Sequence, residues 1–325
     1  MTVEAETRVG ADVADLVVHP EFKVPYYTYV LGGLLNRPGI GPLRFRNLGV
    51  PEIDGIALEV SGRRVFVSSN DHIDINPAMV DWADCYGKVN LAPETEPFPG
   101  LVPLGPIFGI RLWSKPVAYQ TAARMIVAGA PALPTVRQVR FQAITKLPME
   151  IYTPSPSGDP DYVFFRSRRW PPKHEEANEP RYRFLDAMKG VDVDFEGGLA
   201  DDRITLMDYL ERTRRSALVF NCPAVHLCLG WKLGEYLALG KAIVSTPISR
   251  RLPAPLVHGE HMHKVEDTVE AIREGVETVL SNDRYRRHLE AGARRWYEQN
   301  LAPDVLTDRL LAGEWPATAD YRGDW

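Results

Sequence analysis

Hydrophobic and polar positions alternate in two different styles along the chain. In the second half, short apolar runs are separated by amphipathic stretches at regular intervals. Residues 162–166 (YVFFR), 191–195, 217–220 and 242–245 read as strands, and 181–189, 205–214, 231–239 and 267–280 as the helices that accompany them. Within 267–280, Val269, Ile272, Val276 and Val279 recur along one helical face. A further helix, rich in arginine, is predicted at 285–299. Strands alternating with helices imply a parallel sheet covered on both faces, hence a doubly wound unit. In the first half, from 23 to about 149, the apolar runs are shorter and interrupted by Pro and Gly. The clearest feature is a hairpin, 55–60 and 64–69 around a Ser61-Gly62 turn. A short helix at 77–83, a strand at 88–91 and a helix at 114–128, opening near Pro116, complete the reading. Residues 1–20 are weakly patterned and peripheral. The turn formers at 153–160 (TPSPSGDP) mark an interdomain linker.

Composition narrows the possibilities. A length of 325 residues with 45% hydrophobic content predicts two folded domains. The boundaries are drawn at 1–155, 156–305 and a tail, 306–325. A formal net charge of −5 argues against a nucleic-acid binder. No apolar stretch approaches the ~18–20 residues that span a bilayer. The N-terminus has no basic segment leading into an apolar one, so no secretory signal is expected and the location is expected to be cytoplasmic. Cys85, Cys222 and Cys228 are too few and scattered for a disulfide framework or a zinc site, and read as packing residues.

Open parallel sheets bind ligands at the carboxyl ends of their strands. In the second half those ends are Arg166 onward, 220–230 and 245–251. Glu235 stands out, because a carboxylate in an otherwise apolar helix is costly if buried alone. Near a helix N-terminus it can meet the hydroxyls of a ligand whose phosphates use free backbone N–H groups. The plainer alternative is that it faces water or caps a neighbour.

The segment 227–246, LCLGWKLGEYLALGKAIVST, resembles the nucleotide-sugar motif of retaining GT-B glycosyltransferases, roughly E-G-F-G-x-x-x-x-E-A-x-A-x-G-K-P-V-V-x-T. Gly230 falls on its second glycine, Glu235 on its second glutamate, Ala238 and Gly240-Lys241 on A-x-G-K, Ile243-Val244 on the final strand and Thr246 on the closing threonine. The resemblance implies that Glu235 binds ribose hydroxyls and that Gly230 and Asn221 supply backbone around the nucleotide. Leu227 stands where the first glutamate contacts the transferred sugar, and His226 is the candidate polar substitute. Residues 162–173 (YVFFRSRRWPPK) resemble the strand that opens the donor domain, with Arg166 and Lys173 as the diphosphate clamp and Arg168 as a competitor. A solvated basic turn is the alternative. The likeness covers about 160–300, and residues 1–150 match no motif. A Pro-rich 252–255 replaces the family's Gly-rich loop.

The resemblance implies an α/β, GT-B-like architecture, two Rossmann-like domains facing across a cleft. The first would be the acceptor-side domain, the second would bind the nucleotide sugar, and the tail would pack back on the first. The implied activity is transfer of a sugar from a nucleoside-diphosphate sugar to an acceptor hydroxyl, retaining and metal-independent, with no cofactor beyond the donor, in glycan or glycoconjugate biosynthesis. The alternatives are a GT-B-fold sugar-nucleotide epimerase or phosphorylase-like enzyme, or a catalytically silent nucleotide-sugar-binding subunit. In the first half, Asp71 and His72 follow the clearest strand and are the catalytic candidates facing the cleft. A general base at His72 would imply inversion instead. Gly32-Gly33 reads as a close-approach or packing device. Asp192 and Asp194 resemble a metal-binding D-x-D, and alternation in a strand would aim both to one face. His258, His261 and His263 form a cluster without a third clear ligand, expected on a solvated loop over the donor cleft. The helix bearing Arg284, Arg286, Arg287, Arg294 and Arg295 leaves room for peripheral membrane contact, although its interspersed acids favour a solvated face. Sugar, base, acceptor and oligomeric state are not specified.

Overall fold

The structure is a computed structural model that describes residues 14–50, 54–154, 157–200, 202 and 204–316. Residues 1–13, residues 155–156 of the linker and residues 317–325 of the tail lie outside the described residues. The expectation that 1–20 is peripheral is corrected for its described part: Leu16–Val18 is a buried strand paired on both sides in the sheet of the first half, an apolar run too short to show a period.

The first half is built on a six-stranded sheet. Its elements are β1 (Leu16–Val18), α1 (Val24–Leu35), β2 (Arg44–Phe45), β3 (Ile56–Val60), β4 (Arg63–Ser68), α2 (Pro77–Trp82), β5 (Cys85–Lys88), β6 (Leu101–Pro103), α3 (Lys115–Val127) and α4 (Ala132–Thr145). The strand order is β2-β1-β3-β4-β5-β6. The β3–β4 hairpin forms as predicted. Ser61 and Gly62 both take positive φ, 51° and 80°, as a two-residue turn matching strand twist requires. β4, β5 and β6 run parallel, so their carboxyl ends open on one edge.

Two further first-half expectations are corrected. The strand predicted at 88–91 lies earlier, at β5, and runs through Gly87. A side chain there would press on Leu104 and on Leu310 near the chain's end. That close approach explains a glycine in a strand interior. The second correction is α1, where no helix was predicted: VPYYTYVLGGLL is apolar on every side and almost entirely buried, so it shows no amphipathic period.

The second half contains β7 (Tyr162–Arg168), α5 (Glu179–Met188), β8 (Asp194–Ala200), α6 (Leu206–Arg215), β9 (Val219–Asn221), α7 (Trp231–Leu239), β10 (Ile243–Ser245), β11 (His263–Lys264), α8 (Val269–Ser281), α9 (Asp283–Asn300) and α10 (Pro303–Ala312). β7–β8 and β9–β10–β11 are parallel ladders. The bond from Ala217 N–H to the Tyr162 carbonyl (2.8 Å) and the Asp159–Ser216 bridge set β7 beside β9. The spatial order is therefore β8-β7-β9-β10-β11, with the direction of winding reversing between β7 and β9. The whole is mixed α/β, two Rossmann-like units with strand ends facing across a cleft.

The strand predicted at 191–195 begins later, at Asp194, because Val191 N–H and Val193 N–H are used in the turn that follows α5. Asp192 therefore precedes the strand, and the D-x-D alternation does not form. The His258–His263 turn lies against α8 and α9 rather than over the cleft. Gly292 lets the Glu260 carbonyl close in, and His263 Nδ1 meets the Tyr285 hydroxyl at 2.9 Å. His258 and His261 accept backbone N–H bonds from Lys264 and Val257 at 3.0 Å. The expected solvated face of α9 holds for Arg284, Arg287 and Arg295, which are exposed, and is corrected for the other two arginines. Arg286 is buried beside Asp283, and Arg294 turns inward over the Tyr297 ring toward the Ala238 and Tyr152 carbonyls.

α10 lies along α1, where Gly33 makes room for the Pro303 carbonyl and Thr307. The Gly32-Gly33 pair is thus a helix-packing device. Among the described residues no helix is long and apolar enough to cross a membrane. α7 joins the halves closely, because a side chain at Gly234 would overlap the Pro106 carbonyl oxygen. Gly234→Ala is expected to destabilise the protein by about 1–3 kcal/mol. Gly198→Ala, on open space in β8, should change stability by less than about 0.5 kcal/mol, as urea denaturation would measure.

Candidate active site

The reversal between β7 and β9 creates a crevice at their carboxyl ends, the general position for ligands in open α/β sheets. A cavity of about 780 Å³ opens there, walled by the ends of β7 and β8, the first turns of α6 and α7, and the end of α4. Glu235 projects into it from the second turn of α7 and is only 5% exposed. Lys232 lies three residues earlier on the same face, and Lys146 arrives from the first half at the end of α4. The Lys146 ammonium sits 4.0 Å from the Trp231 ring centre. Burial pushes the Glu235 carboxyl up to about 7 against the opposing pull of Lys146 and Lys232. Burial also lowers Lys146 and Lys232 to about 8. Lys232 donates to the Arg166 carbonyl, and the Arg166 guanidinium pairs with Asp202 at 2.6 Å. The Glu235 carboxylate has no hydrogen bond among the described residues, so its acceptor capacity points into the cavity.

A second cavity, of about 290 Å³, adjoins the first. The segment leaving β7 lines one with Arg166 and Arg168 and the other with Trp170 and His174. Between them Tyr26 of α1 meets Trp231 edge-on at 5.0 Å. Here the halves face each other through histidines. The rings of His72 and His226 are 4.9 Å apart, and those of His174 and His226 5.4 Å. Asp71 accepts a long contact from the Cys228 thiol (3.5 Å), which burial together with that carboxylate pushes up to about 12.

The loop carrying His226 is strained. His226 and Leu227 both lie at φ 56°, a left-handed conformation that non-glycine residues seldom adopt and that clusters at functional sites. It is fastened to the strand ends of the first half. Leu229 N–H donates to Asn90 Oδ1 (2.8 Å), Asn90 Nδ2 to the Asn70 carbonyl (2.7 Å), and the buried Lys88 Nζ to Asn70 Oδ1 (2.5 Å) and Ser68 Oγ (3.1 Å).

The structure brings Asp71, His72 and His226 to one cavity and Arg166 and Glu235 to the other. Gly230 caps the start of α7 and lines a narrow cleft with Asn221. The Asn221 amide also ties β9 to β10 through Ser245 Oγ at 2.9 Å. Thr246 is buried and lines neither cavity; its N–H bonds the Asn221 carbonyl. Lys173 is exposed and lines neither, while the next residue, His174, does face the cleft. Sequence reasoning missed Lys146, Lys232, Trp170 and His174. Lys232 was detectable from its spacing to Glu235, whereas Lys146 sits at the end of a helix that the pattern did not predict.

No protein-family model matches the sequence, and the search of curated proteins finds no relative. Among solved structures the chain is similar to Anabaena Alr3699/HepE in complex with UDP-glucose, at 13% identity over 65% of this chain and 62% of that one (TM-score 0.37). It is similar to TarM at 10% identity, over 76% of this chain and 48% of that one (TM-score 0.43). A putative UDP-N-acetylglucosamine 2-epimerase from Listeria monocytogenes is similar at 10% identity, over 89% and 92% (TM-score 0.39). The chain thus spans less than two thirds of the first two.

The raised carboxyl of Glu235 has a thermodynamic consequence. A group that holds its proton more tightly folded than unfolded stabilises the fold at low pH, and that stabilisation is lost as pH rises through about 7. Compared with Glu235→Gln, the wild-type protein should gain about 1–3 kcal/mol of stability between pH 8 and pH 5. Parallel urea titrations of the two proteins across that range measure the difference.

Proposed function

We propose that this protein transfers a glycosyl group from a nucleoside-diphosphate sugar to an acceptor hydroxyl. The observation that carries the reading is the buried Glu235 carboxylate, with no hydrogen bond among the described residues, in a crevice at the strand-order reversal. The cations Lys146, Lys232 and Arg166 and the N-terminal turns of α6 and α7 surround it. A carboxylate of this kind accepts hydrogen bonds from ribose hydroxyls. Ammonium, guanidinium and free helix N–H groups favour a diphosphate. The transferred sugar and the acceptor would then occupy the adjoining histidine cavity, where Asp71, His72, His174 and His226 offer polar contacts.

In this reading the acceptor oxygen bonds to the anomeric carbon as that carbon's bond to the diphosphate oxygen breaks. The electron pair leaves on the diphosphate, whose growing charge the cations stabilise. In the retaining, metal-independent course the departing phosphate oxygen takes the acceptor's proton. If His72 takes it, the product is inverted. A second reading is favoured by Leu227, 55% exposed where the resembled motif has a sugar-contacting glutamate: a subunit that binds nucleotide sugar without turning it over.

Thermal denaturation with UDP, GDP and ADP, alone and as their sugar conjugates, tests the donor assignment. At least one should raise the melting temperature by mass action. Glu235→Ala should weaken that nucleotide about tenfold or more. His72→Ala should lower kcat about 10²-fold while leaving the nucleotide's stabilising effect intact. Stabilisation without release of nucleotide would favour the silent subunit, and release without an acceptor the epimerase class. Absence of stabilisation by every nucleotide would refute the donor site. The anomeric configuration of the product, read by NMR, separates retention from inversion.

A further inference from the structure

Between Pro97 and Met149 the chain carries six basic residues and no acidic one, in a protein whose formal net charge is −5. That stretch contains α3 and α4, which are joined by four residues and pack along one another. Their inner faces bury Ala118, Ala122 and Met125 of α3 and Thr135, Val139 and Ala143 of α4. Their outer faces do not carry the mixed charges of an ordinary solvated helix. On α4, Leu133, Arg137, Arg140, Phe141 and Ile144 fall at i, i+4, i+7, i+8 and i+11, a single stripe. Leu133 is 61% exposed and Ile144 50%, and Val127, at the end of α3 beside the connecting turn, is 90% exposed. Six of the eleven large hydrophobic side chains exposed among the described residues lie on these two helices, so the patch is a concentration and not background.

Aliphatic tips and arginines on one acid-free face match one class of partner. A polyanion engages the arginines and leaves Val127 and Leu133 in water. A bilayer of anionic lipid takes both, with the aliphatic groups below the headgroups and the guanidinium groups among them. We propose that the α3–α4 surface docks this protein onto anionic membrane, with Val127 and Leu133 entering the interface and Arg137 and Arg140 on the headgroups. Phe141 and Ile144 belong to the same stripe and to the rim of the 780 Å³ cavity, so docking sets that rim at the lipid surface. The proposal does not depend on the glycosyl-transfer reading, and it assigns membrane contact to a surface other than the arginines of α9.

The test is co-sedimentation of the full chain with phosphatidylglycerol-containing vesicles and with pure phosphatidylcholine vesicles, at low and high salt. The expected result is partition into the anionic vesicles, weakened by salt. The double variant Arg137→Glu/Arg140→Glu should partition about thirtyfold less, and Val127→Ser/Leu133→Ser should also partition less. Both variants alter exposed positions and should keep the wild-type melting temperature. Failure of the wild-type chain to partition at low salt would overturn the proposal. So would wild-type partition by the charge-reversed variant, or retention on soluble heparin without vesicle binding.

Discussion

The site is organised by one electrostatic constraint, a buried carboxylate whose charge is offset by two ammonium groups that line the same crevice from opposite halves of the chain. Glu235 and Lys232 belong to α7, and Lys146 closes α4. An ionised carboxylate without hydrogen bonds cannot be held in an apolar wall unless opposite charge lies near it. The geometry that buries Glu235 therefore also fixes how the first half leans on α7. The Trp231 ring carries the Lys146 ammonium on one side and meets Tyr26 on another, so the same contact separates the crevice from the histidine cavity. Gly234 removes the last steric obstacle by letting α7 press on the Pro106 backbone.

How much of this was legible follows from the kind of signal each part carries. The second half declared itself because its helices are amphipathic and its strands are short apolar runs, both local patterns. Most of the first half did not. α1 is apolar on every side and so has no period, β5 hides a strand behind Gly87, and α4 is a sequence of modest helix formers with Pro134 in its first turn. Burial against neighbours overrides local preference in each case, and neighbours are not written in the local sequence. The site divides the same way. Glu235 was visible as a charge in an apolar helix, and His72 as a polar residue at the end of a strand. Lys146 and His174 acquire meaning only when the fold brings them across the cleft.

The strained loop at His226–Leu227 ties these observations together. Two consecutive non-glycine residues at φ 56° each cost on the order of 1 kcal/mol or more, and such conformations persist only where the surroundings over-determine them. The surroundings here are the first half's strand ends. Lys88 orders Asn70, Asn70 and Asn90 bond each other, and Asn90 receives the N–H of Leu229, two residues beyond the strained pair. Arg250 holds the His226 carbonyl from the other side. Burial lowers the Lys88 ammonium to about 8, which shows how far that anchor has been taken out of water. The backbone geometry that turns His226 toward His72 and His174 is thus maintained by polar groups of the opposite domain. It follows that the histidine cavity depends on the contact between the two halves of the chain. Separating the halves would release the loop to relax, dispersing those three histidines and withdrawing Lys146 from the crevice it shares with Glu235.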